Sequence, residues 1–276
     1  MLVNSVSVSK GQLEVGVSGT GSTDHDTSYY RSYSDMLVVR TYLSRKFTQM
    51  ELVSEDPDFD ITYVPNTTLN LGVGFTYEWA TLNLAYGFGF LNPEDGKGET
   101  KYLDLHFHSY GRKIMLDAFA HFYRVFYVER SDINLGDDSY YVRPGLDVYE
   151  IGGVVQYVMN NKKFSYRSSF MQNEWQKRSA GSLLLGGEIF VGNSRSDSTM
   201  IPTVVDSAAS AREFNDLAFV EFGPSIGYAH TFVIGGHWFI HGSFSLGLTY
   251  GSTTYNSAVD GKQKESGFSP NSTIKF

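Results

Sequence analysis

The chain has no cysteine among its 276 residues. That excludes a disulfide scaffold, a thiolate metal site, a cysteine nucleophile and a lipidated amino-terminal cysteine. No apolar run approaches the ~18 to 20 residues of a membrane-spanning helix, so helical integral membrane proteins are excluded while barrels are not. Charge is sparse, with 19% of residues charged against about 25% in an average soluble domain. The net charge of -8 disfavours nucleic acid as a partner. The amino terminus, MLVNSVSVSKGQLEVG, lacks the basic start and the roughly 7 to 15 residue apolar core of a signal peptide. The expectation is a trimmed chain or a fragment. What the sequence has instead is 28 Gly, 20 Phe and 19 Tyr, a composition that favours strands over a helical bundle.

The clearest pattern lies in residues 68 to 79, TLNLGVGFTYEW, followed directly by ATLNLAYGFGF, residues 80 to 90. Leu69, Leu71, Val73, Phe75, Tyr77 and Trp79 share one face and Thr68, Asn70, Gly72, Gly74, Thr76 and Glu78 the other. This period of two predicts a hairpin of long strands. At about 11 residues each, the strands match the length that crosses a bilayer at a ~45° tilt rather than the usual 5 to 6. In residues 237 to 250, Trp238, Ile240, Phe244, Leu246, Leu248 and Tyr250 oppose His241, Ser243, Ser245, Gly247 and Thr249, with aromatics at both ends as in interfacial girdles. Further strands are predicted near 37 to 53, 101 to 111, 113 to 127, 146 to 159, 163 to 172, 182 to 192 and 217 to 232.

Connections alternate in length through the first half. Short turns are expected near Trp79, Arg112 and Asn160 to Lys162, and longer polar segments at 54 to 60, 92 to 100, 129 to 141 and 173 to 181. Short turns at one end and long loops at the other is the outer-membrane arrangement. The alternation then fails, because 193 to 216 is long where a short turn is due and Gly235-Gly236 is short where a loop is due. A weak extra strand at 198 to 206, interrupted by Pro202, would restore it. The carboxyl end, SPNSTIKF, reads as the beginning of a strand that stops early, with Phe276 as a terminal aromatic.

The segments DTSYYRSYSDMLVVRTYLSRKF (26 to 47), YVPNTTLNLGVGFTYEWATLNLAYGFGFLNP (63 to 93), TKYLDLHFHSYGRK (100 to 113) and FSYRSSFMQNEWQKRSAGSLLLGGE (164 to 188) carry a resemblance. Over most of residues 26 to 250 the chain resembles a family of Bacteroidetes proteins known as DUF4421. The resemblance implies a secreted outer-membrane barrel of unknown molecular function, made with a signal peptide and continuing past residue 276. It supplies no catalytic residues to carry over.

Alternation places Glu78, Asp104, His106, His108, Asp117, His121, Arg167 and Glu188 on the inward face. Charges at membrane depth are costly unless they meet water or partners, so a hydrated or salt-bridged lumen is the plainest account, with a selectivity lining behind it. His106 and His108, two residues apart on one strand face, could chelate zinc with His121 or Asp104 as third ligand. A polar stripe explains the same spacing, and no metal or other cofactor is assigned. His241 and Ser243 resemble the His-x-Ser pair of outer-membrane acyl hydrolases, whose orienting third residue should lie on an adjacent strand, but the nearest carboxamide downstream, Asn256, falls in a segment read as a loop, 251 to 263. Glu55, Asp56, Asp58 and Asp60 imitate a calcium loop until Ile61 replaces its Gly and Thr67 its bidentate acid. GVGF and GFGF lie inside strands and are not phosphate loops.

The reading is an all-β, antiparallel up-and-down transmembrane β-barrel of about 10 to 12 strands in the bacterial outer membrane. Residues 1 to 34 form an amino-terminal extension or periplasmic segment, and 35 to 276 the barrel domain, truncated at its carboxyl end. Its partners are the lipid bilayer and a small solute or surface partner, and its role is a small pore or a plugged structural or surface scaffold rather than an enzyme. A membrane-embedded acyl hydrolase is the alternative. A soluble β-sandwich or lipocalin-like barrel is disfavoured by strand length and by the apolar outer face.

Overall fold

The computed structural model of the chain describes residues 3–5, 8–10, 25–33, 35–45, 48–52, 60–77, 80–88, 96–133, 135–202, 214–257 and 261–276. Most of it is strand. The first strands are short: β1 (Val3–Ser5), β2 (Val8–Lys10), β3 (Tyr30–Ser32), β4 (Val38–Arg45), β5 (Thr48–Leu52) and β6 (Ile61–Val64). The hairpin expected over 68 to 90 forms as β7 (Asn70–Tyr77) and β8 (Ala80–Gly87), but each strand has eight residues instead of the expected length of about eleven. Then come β9 (Lys101–Tyr110), β10 (Ile114–Val128), β11 (Tyr141–Val158), a short helix α1 (Arg167–Phe170) and β12 (Glu174–Gln176). The chain ends with β13 (Ala180–Ser196), β14 (Phe214–Ile234), β15 (Trp238–Ser257) and β16 (Gly261–Lys275). These sixteen described strands exceed the expected ten to twelve because the part before residue 65 breaks into pieces of three to eight residues.

Every pairing is antiparallel, and from β10 onward neighbours in the sheet are near neighbours in sequence: β10-β11-β13-β14-β15-β16. The far edge of β10 is shared between β9 along most of its length and β6 at Tyr127 and Val128. β2, β4, β7 and β8 make a second, four-stranded sheet. Among the described residues no ladder joins β16 to another edge, so hydrogen bonding does not close a barrel. The large sheet nevertheless curls strongly. Gln156 on β11 donates to Ser245 Oγ on β15, two strands further along than its own neighbour, at 3.2 Å, and Lys275 on β16 reaches Asp117 on β10.

One expected strand is absent. Residues 163 to 172 form α1 and its flanks, not a strand. The apolar spacing that suggested a strand is real, since Phe164 and Tyr166 are buried, but Ser165 and Ser168 use their hydroxyls on local backbone. Ser168 N donates to Ser165 Oγ at 3.1 Å and Ser168 Oγ to Ser165 O at 2.8 Å, bonds that compete with a strand ladder. Losing this strand restores the parity of 197 to 213 and of the Gly235-Gly236 turn, but it sets a long connection, 159 to 179, at the end of the short turns. The turns at 111 to 113 and 235 to 237 and the whole connection 159 to 179 now lie at one end, and the strand ends at Val128 and Tyr141 and at Ser196 and Phe214 lie at the other. Segment 173 to 181, expected on the side of 129 to 141, therefore belongs to the opposite end. No extra strand is needed at 198 to 206: residues 198 to 202 are not strand, and the remainder lies outside the described residues.

The carboxyl end also differs. The expected loop 251 to 263 is the hairpin end of β15 and β16, which pair from Ser243↔Lys275 to Ser257↔Gly261. Ser and Thr blur the alternation there, and the long partner strand supplies the register instead. Residues before 35 are tied into the fold as well, with β3 paired to β12 and β1 to β5.

Apolar residues inside the curl collect at its two ends. Met50, Ile61, Tyr63, Tyr123, Phe126 and Leu146 belong to the cluster at the end of 129 to 140. Tyr110, Met115, Phe164, Tyr166, Met171 and Leu184 belong to the cluster around 159 to 179. Between them runs a polar belt.

Candidate functional site

The belt is built by alternation on β9, β10, β11, β13 and β15. On β9 and β10, Asp104 stands opposite His121, and His106 stands two residues further along the same face. His106 Nε2 lies 2.6 Å from Asp104 Oδ1 and 3.2 Å from His121 Nε2, while His121 Nε2 lies 3.8 Å from Asp104 Oδ1. Tyr123 donates to Asp104 Oδ2 at 2.5 Å. His121 Nδ1 faces Thr48 Oγ1 at 3.3 Å and Glu150 Oε2 at 3.7 Å.

The next residues of the expected stripe form a separate group. His108 Nδ1 lies 2.6 Å from Asp117 Oδ1, Tyr110 donates to the same oxygen at 2.6 Å, and Lys275 Nζ meets Asp117 Oδ2. Further round the curl, Asn271 donates to Glu188 Oε1 at 3.2 Å and to Thr249 Oγ1 at 3.0 Å, and Thr249 donates to Glu221 Oε2 at 3.0 Å. Gly247 makes room here, since a Cβ at that position would run into the Glu188 carboxylate. Gly72 does the same for the ring of Tyr42.

Arg167 is interior, as expected, but it sits on α1 rather than on a strand. Arg167 Nη1 lies 3.7 Å and Arg112 Nε 3.9 Å from Glu174 Oε1, and Ser165 donates to Glu174 Oε2 at 2.5 Å. Burial pulls the Arg167 guanidinium below its ordinary pKa, and the Glu174 carboxylate acts against that shift. Burial likewise pushes the Tyr30 phenol up, with Glu174 adding to the rise. The 160 to 179 segment is thereby clamped into the end of the curl. Arg40 on β4 donates to Phe170 O at 3.0 Å, Ser169 meets Thr231 at 3.3 Å, and Tyr30 donates to Asn161 O at 2.8 Å.

His241 and Ser243 are both buried on the inner face, as alternation predicts. Each is engaged elsewhere: His241 Nδ1 with Thr231 Oγ1 at 2.9 Å, and Ser243 Oγ with Tyr166 OH at 3.2 Å. Asn256 lies on β15 opposite Lys262, at the far end of that strand from His241.

Among the candidates, then, Asp104, His106 and His121 come together, His108 pairs with Asp117, and Arg167 and Glu188 stand apart. Glu78 lies outside the described residues, as do Glu55, Asp56 and Asp58 of the acidic run. Asp60 is exposed, and Ile61, where a calcium loop would turn, is core. Sequence reasoning missed Glu150, Glu221, Glu174 and Lys275. The first two were findable by alternation, because Glu150 stands between Tyr149 and Ile151, and Glu221 between Val220 and Phe222, all four of them exposed. Glu174 and Lys275 were hidden by the wrong assignments of 163 to 172 and of the carboxyl end.

A family model described as "Domain of unknown function (DUF4421)" matches residues 24–276. No curated protein and no solved structure matches the chain.

Proposed function

The chain belongs to the DUF4421 family, and from that premise we propose that it is a bacterial outer-membrane β-barrel with a filled interior, a structural or surface-partner scaffold rather than an open pore. The observation that carries this reading is the inversion of its faces. On β15, Ile240 is 63% exposed and Leu246 49%, whereas His241 is 7%, Ser243 8% and Thr249 0% exposed. The same rows of exposed Leu, Ile, Val and Phe continue on β9, β11, β13 and β14. In water such a contiguous apolar band would be a severe aggregation liability; in a bilayer it is the lipid face. From Trp238 to Tyr250 there are twelve residue steps, which at about 3.4 Å each and a ~45° tilt span roughly 29 Å, the thickness of the hydrocarbon core.

The apolar clusters at both ends and the clamped 160 to 179 segment favour a plug over a channel. An acyl hydrolase on His241 and Ser243 is the weaker reading, because Ser243 bonds to Tyr166 rather than to His241 and both side chains face inward, away from a lipid substrate. The test is fractionation followed by reconstitution. The expressed full chain should sediment with membranes, require detergent for release, and stay electrically silent in planar bilayers. A chain that remains in the supernatant without detergent would remove the membrane reading, and steady large conductance would remove the plug.

The end with the turns 111 to 113 and 235 to 237 is assigned to the periplasm, with the 159 to 179 connection folded into it as the plug, and the end of 129 to 140 to the outside, where longer loops belong. The absence of native cysteine makes this directly measurable. With intact cells and a membrane-impermeant maleimide, Asp137→Cys should label and His237→Cys should not until the cells are opened. The reverse pattern would invert the orientation.

A further inference from the structure

We infer that Asp104, His106 and His121 form a binding site for a divalent transition-metal ion of the zinc class on the inner face of the β9–β10 pair. The inference goes beyond the barrel reading and needs only that pair of strands to form. Three donor atoms of two neighbouring strands converge, with separations of 2.6, 3.2 and 3.8 Å. A tetrahedral zinc ion with bonds of about 2.0 to 2.1 Å sets its ligands roughly 3.3 Å apart, so the observed triangle brackets what the ion requires. Small rotations of the Asp104 and His106 side chains would make it regular.

A polar stripe alone does not require the surrounding bonds, and these are the second, independent observation. Metal-bound imidazoles usually give their other ring nitrogen to a carboxylate or another acceptor, and ligating carboxylates are themselves hydrogen-bonded. His121 turns Nδ1 toward Thr48 and Glu150, which leaves Nε2 facing the cluster. Tyr123 holds Oδ2 of Asp104 and leaves Oδ1 facing the two imidazoles. The ring of His106 is partly exposed while Asp104 and His121 are buried, so a fourth position can be taken by water. Two imidazoles with one carboxylate suit zinc and its neighbours, not calcium or magnesium, which take oxygen ligands.

The experiment uses the refolded full chain in detergent, titrated with Co2+ as a spectroscopic probe. One Co2+ per chain should bind with a ligand-field absorption band that Zn2+ displaces and Ca2+ does not. His106→Gln should lower Co2+ affinity by more than about 100-fold, and Glu150→Gln by about 10- to 100-fold. His108→Gln, which alters the neighbouring Asp117 pair, should leave it unchanged. Zn2+ should also raise the unfolding midpoint of the unsubstituted chain, a reading that stands even if a variant fails to fold. The inference is overturned by the absence of a saturable Co2+ signal and of a Zn2+ midpoint shift in the unsubstituted chain. Binding that survives His106→Gln, or that is lost equally in His108→Gln, would overturn it as well.

Discussion

Phe244→Arg is expected to destabilise the folded chain by about 2 to 4 kcal/mol in lipid, the cost of a cation on the lipid face near the bilayer midplane. Phe244 stands six steps from Trp238 and six from Tyr250 on β15, and it is 46% exposed. In water, an arginine replacing so exposed a phenylalanine would cost little, so the size of the effect reports the solvent on that face rather than the packing. Thr254 lies on the same face of β15 by alternation, four steps beyond Tyr250. Thr254→Arg should therefore cost only about 0 to 1 kcal/mol, as near an interface. Urea titration of the protein folded into vesicles measures both. Equal effects at the two positions, or none at Phe244, would contradict a bilayer around this strand.

The legibility of the sequence followed the strength of its period. Where large apolar residues alternate with small or polar ones, as in β7 and in β15 up to Tyr250, the pattern alone gave the strand and its faces, and burial agrees: Leu71, Val73, Phe75 and Tyr77 are exposed while Thr76 is buried. Two kinds of segment defeated it. Residues 163 to 172 are amphipathic at short range, but nothing local distinguishes a buried plug from a buried strand, since that depends on Arg40, Thr231 and Ser243 arriving from other elements. The end of the chain has the opposite difficulty, with too few large apolar residues in β16 to mark a face and its register set by β15. The same division holds for the belt. Alternation could place Asp104, His106, His108 and His121 on one face, but which of them meet depends on a register that pairs Asp104 with His121 and Asp117 with His108.

Glu174→Ala is expected to loosen the segment 160 to 179, at a cost of about 3 to 5 kcal/mol, because it removes one partner of a buried ion pair. The Glu174 side chain is 1% exposed and Arg167 9%, so water cannot replace the lost charge without the segment moving out. Ser165 loses its acceptor in the same step, and the pairing of β12 with β3, which begins at Glu174↔Ser32, loses its inner anchor. If the cost comes from stranding Arg167 rather than from lost packing, replacing both residues by apolar ones, as in Arg167→Met with Glu174→Leu, should recover most of it. Function should follow the same order. If the 160 to 179 segment fills one end of the curl, the unsubstituted chain should be silent in a planar bilayer, and Glu174→Ala should add discrete conductance steps that the double substitution suppresses. Unfolding titrations and single-channel recordings on the three proteins check this together. A Glu174→Ala protein as stable and as silent as its parent would show that the plug is held by its aromatic contacts with Tyr110 and His241 and not by the ion pair.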